Sequence, residues 1–253
     1  AAFTDLLNDR TEVVAVSHAS NALGTINPVQ AITEAAHAVN AVVLIDGAQA
    51  VSHLPVDVQA IGCDFYVLSG HKLFAPTGIG ALYGRFDLLE QMPPYQTGGE
   101  MIRHVTFEET TFREPPARFE AGTPHIAGAV GLRAAVDFVR ELEPARIRQH
   151  DRALLTYAQE QLSALPGLRL IGTALEKIGV LSFVLEGVHP HDAATIIDQR
   201  GVAIRAGHHC AQPTMAHFNV PATIRASLAP YNHEGDIDML VTGIKQAQEF
   251  FAR

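Results

Sequence analysis

A strand–helix–strand succession near the front of the chain narrows the fold more than any other feature. Glu12-Val13-Val14-Ala15-Val16 is an apolar, β-branched run of strand length. A polar, glycine-bearing loop from Ser17 to Thr25 follows. Asn27-Pro28 then reads as N-cap and N1 of a helix running to Val39. Val42-Val43-Leu44-Ile45 is a second strand, stopping at Asp46. Two strands joined by such a helix form a right-handed parallel crossover. A third run, Phe65-Tyr66-Val67-Leu68, leads into Ser69-Gly70-His71-Lys72, and Gly80-Ala81-Leu82-Tyr83 is a fourth short strand. In open parallel sheets, ligands bind beyond the carboxyl ends of the strands. Asn21, Asp46-Gly47-Ala48-Gln49 and Ser69-Gly70-His71-Lys72 all follow strands, so this topology can gather them at one sheet edge.

Residues 95–124 read as irregular, with Gly98-Gly99 and Pro115-Pro116, and a loop of that length is usually functional or packed on a partner. Helices are expected over 129–142 and 145–165. In the second, Ile147, Leu154, Leu155, Ala158 and Leu162 recur at near-helical spacing. After Pro166-Gly167 a new α/β pattern begins. Strands are expected over 168–171, 180–185, 202–205 and 223–227, with helices over 192–199 and 234–251. The fold class is therefore α/β: a mainly parallel large-domain sheet over residues 1–144, a linking helix over 145–166, and a smaller α/β domain over 167–253. Four strands before the linking helix are fewer than a covered parallel sheet usually has, so the large domain is expected to begin partway through.

Composition excludes several classes of function. Charged residues make up 18% and hydrophobic residues 47%, a balance suited to a packed core. The net charge of −9, without a long Lys/Arg run, argues against nucleic-acid and anionic-membrane partners. No apolar run approaches the roughly 20 residues that span a bilayer, and the first residues carry no signal-peptide pattern. Two cysteines, Cys63 and Cys210, make no disulfide framework, so a reducing cytoplasm is expected.

The chemistry-bearing residues each admit more than one reading. Lys72 closes a core strand amid apolar and glycine neighbours. It either snorkels to water or loses hydration and becomes a nucleophilic amine. Asp46 either caps a turn or holds a cationic ring nitrogen, the contact that pyridoxal phosphate needs beside its lysine. Ser69 and His71 flank Lys72 and can donate to a phosphate. Cys210 follows His208 and His209 in a glycine-bearing loop. The histidines can raise its thiolate fraction; zinc binding is the rival, weakened because consecutive residues do not easily face one ion and no CxxC or HxxxH partner exists. Cys63 reads as an inert core residue. Arg225, in an alternating strand-like stretch, either grips a carboxylate or is an ordinary surface arginine.

Together, Asp46-Gly47-Ala48-Gln49, Ser69-Gly70-His71-Lys72 and Arg205-Ala206-Gly207-His208-His209-Cys210-Ala211 resemble the cysteine desulfurases of the SUF and CSD type, also called selenocysteine lyases. These are class V, fold-type I pyridoxal-phosphate enzymes. The likeness continues through Phe119-Glu120-Ala121-Gly122-Thr123-Pro124 and Arg225-Ala226-Ser227-Leu228, and it covers nearly the whole chain. The resemblance implies pyridoxal 5'-phosphate as cofactor. Lys72 would hold it covalently and shuttle protons, Asp46 would pair with the ring nitrogen, Gln49 with the phenolate oxygen, and Ser69 and His71 with the phosphate. Thr123 would reach the phosphate of the neighbouring subunit, which implies a homodimer. Asn21 and Arg225 would hold the substrate carboxylate, with Arg205 nearby. Cys210 would take sulfur from L-cysteine, or meet L-selenocysteine, leaving alanine and an enzyme persulfide. A small acceptor protein of the SufE/CsdE kind would receive that sulfur for iron–sulfur cluster assembly.

The family has a further stretch upstream that supplies the rest of the large sheet, part of the phosphate cup and a histidine stacked on the cofactor. The sequence is therefore expected to be the C-terminal part of such an enzyme, binding cofactor weakly on its own and turning over little. Two alternatives stay open: another class V reaction, aminotransferase-like or kynureninase-like, and a non-catalytic dimerisation or docking fragment.

Overall fold

The computed structural model describes residues 2–252. The chain forms two compact units. The first takes in the chain up to Ser17, Pro28–Ser52 and Val56–Glu141; the second takes in His18–Asn27, His53–Pro55 and the chain from Leu142 onward.

In the first unit, β1 (Val13–Ser17), α1 (Val29–His37), β2 (Val42–Asp46), α2 (Val58–Ile61), β3 (Phe65–Ser69) and β4 (Gly80–Gly84) build a sheet of order β1-β2-β3-β4. The first three strands are parallel, as the crossover argument requires, and β4 returns antiparallel along β3. Val43 and Ile45 point into the core with Val14, Val29, Ala36, Cys63 and Tyr66. Burying each of these aliphatic side chains contributes about 1.5–3 kcal/mol. Beyond β4 come α3 (Phe86–Gln91), the hairpin β5 (Ile102–Val105) and β6 (Thr110–Phe112), and α4 (Ile126–Glu141). Two expectations are corrected here. Helix α1 starts at Val29 with Pro28 as N-cap and no side-chain cap, because the first helical bond runs from the Ile32 N–H to the Pro28 carbonyl at 3.0 Å. The stretch 95–124 is not wholly irregular. Its β-branched residues pair as the β5–β6 hairpin, whose short, mostly exposed strands carry too little apolar pattern to announce themselves.

One buried carboxylate ties this unit together. Asp64, 2% exposed, precedes β3. Its Oδ2 accepts the Val43 N–H at 2.7 Å and lies 2.9 Å from His37 Nε2; its Oδ1 accepts Arg85 Nη1 at 2.9 Å. Its own N–H donates to the Val43 carbonyl and its carbonyl accepts the Arg85 N–H. Burial alone would push the carboxyl pKa up, but the bonds from His37, Val43 and Arg85 outweigh it and hold it below the usual value.

The second unit comprises α5 (Pro144–Ser163), β7 (Leu168–Ile171), β8 (Val180–Leu185), α6 (Pro190–Asp198), β9 (Arg205–Gly207), α7 (Gln212–His217), β10 (Thr223–Ser227) and α8 (Glu234–Phe251). Its sheet has the order β7-β8-β10-β9 and is antiparallel throughout. Leu181, Phe183, Ile224 and Ala226 from the sheet pack with Leu154, Ala158 and Leu162 of α5, Ile197 of α6 and Leu240 and Ile244 of α8. Prolines at N1 start α5 and α6, and a capping box between His233 and Asp236 starts α8. The strand expected over 202–205 lies later, at Arg205–Gly207. Val202 and Ile204 pack against the core instead, and pairing with β10 starts only at Arg205.

Replacing Asp64 with alanine removes all three side-chain bonds. It is expected to destabilise the first unit by about 2–3 kcal/mol, the lower range for a broken buried pair because His37 and Arg85 are partly exposed. The Asp64 carboxylate stabilises the fold above its unfolded pKa, near 4, and loses that effect as pH falls through its lower folded value. Urea unfolding followed by circular dichroism should therefore show the wild type and Asp64→Ala converging below about pH 4.

Candidate active site

The first group of residues sits at the carboxyl ends of β2 and β3. Asp46 is the last residue of β2 and lies opposite Val67 in the parallel ladder. The ladder continues one step further, with the Gly47 N–H donating to the Val67 carbonyl at 2.8 Å. Asp46 Oδ1 accepts the Ala48 N–H at 2.9 Å, and Gln49 follows half-buried on the same turn. Gly47 is buried against Tyr66. A Cβ there would lie 2.0 Å from the Tyr66 ring, so no side chain fits without moving that ring. Burial raises the Tyr66 phenol far above its ordinary pKa, with smaller contributions from Cys63 and Asp46, which keeps the ring neutral.

Ser69 ends β3, and a 3₁₀ turn over Gly70–Leu73 carries His71 and Lys72. The Gly70 N–H bonds to the Ile79 carbonyl, the Ala75 N–H bonds back to the Gly70 carbonyl, and Phe74 closes the turn at φ +63°. Between buried Gly70 and Leu73, Lys72 is half-buried, while exposed His71 places Nδ1 2.9 Å from Ser69 Oγ. Carboxylate, hydroxyl, imidazole and amine thus arrive on two adjacent strand ends. Thr123 lies in the exposed loop before α4, after Gly122 at φ +80°, and is not one of the strand-end residues.

The second group belongs to the second unit. Cys210 is exposed, and both it and the preceding His209 adopt left-handed backbone, at φ +58° and +53°. For residues with a Cβ each such position costs about 1–2 kcal/mol. His209 is buried, with Nε2 2.9 Å from Thr223 Oγ1 and 3.2 Å from the Thr223 carbonyl. Burial first, then the nearby Arg225, lowers its pKa to about 4, so the ring is neutral at pH 7. His209 therefore lends Cys210 no positive charge, and the sequence reading of paired histidines as thiol activators fails for it. The nearby cations are arginines. Arg225 on β10 stands opposite Arg205 on β9 and opposite Ser182 on β8. Burial and Arg205 lower the Arg225 pKa, while Cys210 acts in the opposite sense. Arg225 Nη1 donates to the Asn21 carbonyl at 2.9 Å, and its buried Nε has no hydrogen-bond partner. Asn21 Nδ2 in turn donates to the His209 carbonyl at 2.6 Å, and Ser182 Oγ bonds the Ala22 carbonyl at 2.6 Å.

The structure thus brings Asn21, Arg205, Cys210 and Arg225 together within one unit. Asn21 belongs to the second unit, and Asp46 and Lys72 belong to the first. Sequence reasoning missed Thr223 and Ser182, which carry no signal of their own in apolar strands. Cys63 is 1% exposed, and burial pushes its thiol pKa up, as suits a core residue. Among the described residues no three His, Cys, Asp or Glu side chains cluster as metal ligands, and no helix is long and apolar enough to cross a membrane.

Residues 1–240 match the aminotransferase class-V family. The chain belongs to that family. Curated cysteine desulfurases from Yersinia pestis and Yersinia pseudotuberculosis are 51% identical over 249 residues, covering 98% of this chain and 61% of theirs. The crystal structure of the cysteine desulfurase CsdA from Escherichia coli superposes with a TM-score of 0.92 at 40% identity, covering 98% of this chain and 61% of that one. The apo cysteine desulfurase of Thermococcus onnurineus NA1 gives 0.90 at 36% identity, covering 94% and 60%. The fold is thus that of the class V, fold-type I enzymes, and the chain spans 61% of the length of the curated relatives it matches.

Two outcomes follow. Gly47→Ala forces the Tyr66 ring to move and is expected to destabilise the first unit by about 2–3 kcal/mol, read by urea unfolding. Between about pH 6.5 and 4 the unfolded chain protonates His209 while the folded one does not, so acid destabilises the second unit by about 3 kcal/mol. His209→Gln should remove that part of the slope in unfolding free energy measured across this range. His18, also lowered by burial, keeps its own share.

Proposed function

We propose that this chain carries the greater part of a pyridoxal-phosphate-dependent cysteine desulfurase. What supports it most is Cys210: a thiol exposed on a left-handed turn beside Arg225, in a chain 51% identical to curated cysteine desulfurases. Transamination and kynureninase-like chemistry need no such thiol, so the same observation ranks those class V alternatives lower.

The donors at the ends of β2 and β3 fit pyridoxal phosphate by their chemistry: one carboxylate, one amine, a hydroxyl–imidazole pair, and a glycine with no Cβ beside the carboxylate. Lys72 would hold the cofactor covalently, Asp46 its ring nitrogen, Gln49 its phenolate oxygen, and Ser69 and His71 its phosphate. Thr123 would serve the phosphate of a second copy in a homodimer. Bound there, the cofactor supplies an electron sink for bond changes at the substrate's carbon atoms. Lys72 moves protons at Nζ once the amine is free. Arg225 binds the substrate carboxylate, a role its unpartnered Nε suits, with Asn21 and Arg205 beside it. Cys210 Sγ receives the sulfur. The balance closes as L-cysteine plus the Cys210 thiol giving L-alanine plus the Cys210 persulfide. L-selenocysteine is the second substrate, and an exposed Cys210 suits delivery of sulfur to a small acceptor protein in the cytoplasm, for iron–sulfur cluster assembly. Residues 1–144, 145–166 and 167–253 are proposed as the large-domain portion, linker and small domain.

The test adds pyridoxal phosphate and L-cysteine to the purified chain. A visible cofactor band should form and be lost in Lys72→Ala. Cys210→Ala should keep the band while persulfide and sulfur release fall to background, measured by mass spectrometry and a sulfide assay. Sulfur release by Cys210→Ala at the wild-type rate overturns the proposal. A chain that takes up no cofactor at any concentration favours the docking-fragment reading.

A further inference from the structure

The turn that presents Cys210 is not one that its own residues favour. Two consecutive residues with side chains, His209 and Cys210, hold positive φ, where glycine would be at ease. Something outside the turn must impose it. Two contacts do so, one through the His209 ring and one through the His209 carbonyl. The His209 ring is buried against β10, its Nε2 facing the carbonyl and the hydroxyl of Thr223, which is itself fully buried. A carbonyl only accepts, so Nε2 carries the hydrogen and the ring is the Nε2–H tautomer. Its Nδ1 is enclosed without a partner, as a neutral imidazole allows. The His209 carbonyl, which leads directly into Cys210, accepts the Asn21 amide at 2.6 Å. Asn21 is itself held, since its carbonyl takes Arg225 Nη1 and the next carbonyl, that of Ala22, takes Ser182 Oγ. Ala211 closes the turn by donating its N–H to the His208 carbonyl.

We infer that His209, through its ring bond to Thr223, and Asn21, through its amide bond to the His209 carbonyl, are positioning residues that hold Cys210 in its left-handed turn beside Arg225. The inference rests on the reading of Cys210 as the sulfur acceptor. It separates the two neighbouring histidines. His208 is exposed and free to meet solvent or substrate, whereas His209 acts on Cys210 only through the backbone. It also adds to the role proposed for Asn21, whose amide is engaged with the turn. Without either anchor the backbone relaxes toward negative φ, the intrinsic preference of an L-residue, and the thiol leaves the field of the Arg225 guanidinium.

The probe is iodoacetamide, with alkylation of Cys210 timed by peptide mass spectrometry on the folded chain and buried Cys63 as internal control. His209→Leu keeps volume but has no donor, and it should slow Cys210 alkylation about fivefold as Sγ loses the fixed, solvent-facing place that the turn gives it beside Arg225. His209→Gln keeps an N–H at similar reach and should restore the rate to within about twofold, a rescue that hydrophobic filling alone does not give. Asn21→Ala, a change in a half-buried loop residue, tests the second anchor should the leucine variant fail to fold, and it should slow the reaction in the same direction. Wild-type or faster alkylation in Asn21→Ala or in folded His209→Leu overturns the inference, as does failure of His209→Gln to rescue. Alkylation needs neither cofactor nor turnover. A negative result here leaves the sulfur-transfer reading standing, whereas sulfur release by Cys210→Ala removes that reading and leaves the alkylation result intact.

Discussion

Asp46 stands opposite Val67 in the parallel ladder of β2 and β3, and the first unit's chemistry depends on that alignment. A slip of one residue would turn Val43 and Ile45 out of the core and carry Asp46 to the other face. The register is pinned at both ends. At the start of the strands, Asp64 exchanges backbone and side-chain bonds with Val43 and takes in His37 and Arg85. At the far end, Gly47 donates to Val67 and lies so close to Tyr66 that only glycine fits. A buried ion network at one edge thus holds the strand ends at the other edge where Asp46, Ser69, His71 and Lys72 emerge.

The second unit solves a different problem, that of keeping a partly buried cation beside a thiol. Arg225 sits on a central strand with Arg205 directly across from it, a like-charge pair that costs stability. The Asn21 carbonyl offsets part of that cost. His209, which would add a third positive charge, is instead driven neutral by burial. What remains is a guanidinium with a buried, unpartnered N–H, an arrangement usually tolerated where a ligand completes it. Stability and the proposed carboxylate binding therefore draw on the same side chain.

Strands β2, β3, β7, β8 and β10 and helices α5 and α8 were legible in the sequence because their apolar residues recur with the right period over enough length. The β5–β6 hairpin was not, since short exposed strands have no buried face to pattern. Helix α1 starts one residue later than Asn27-Pro28 suggested, because the first helical bond goes to the Pro28 carbonyl, and a proline N-cap has no side-chain acceptor to announce it. Strand β9 was misplaced because Val202 and Ile204 are apolar for packing rather than for pairing. At the candidate site, Asp46, Ser69, His71, Lys72, Cys210 and Arg225 stood out by residue type and position after or within strands. Thr223 and Ser182 could not, because a hydroxyl in a buried strand reveals its role only when its partner is known.

By itself the sequence determined the α/β class, the parallel crossover and which residues are chemically able to act, because hydrophobic period and strand-end position are local properties. The tertiary structure alone decided which of them meet. It set Asn21 with His209 and Arg225, took the ring of His209 out of the chemistry, and forced Cys210 into a left-handed turn. Those outcomes rest on hydrogen bonds between residues far apart in the chain, and no local pattern encodes a bond whose two ends are nearly two hundred positions apart.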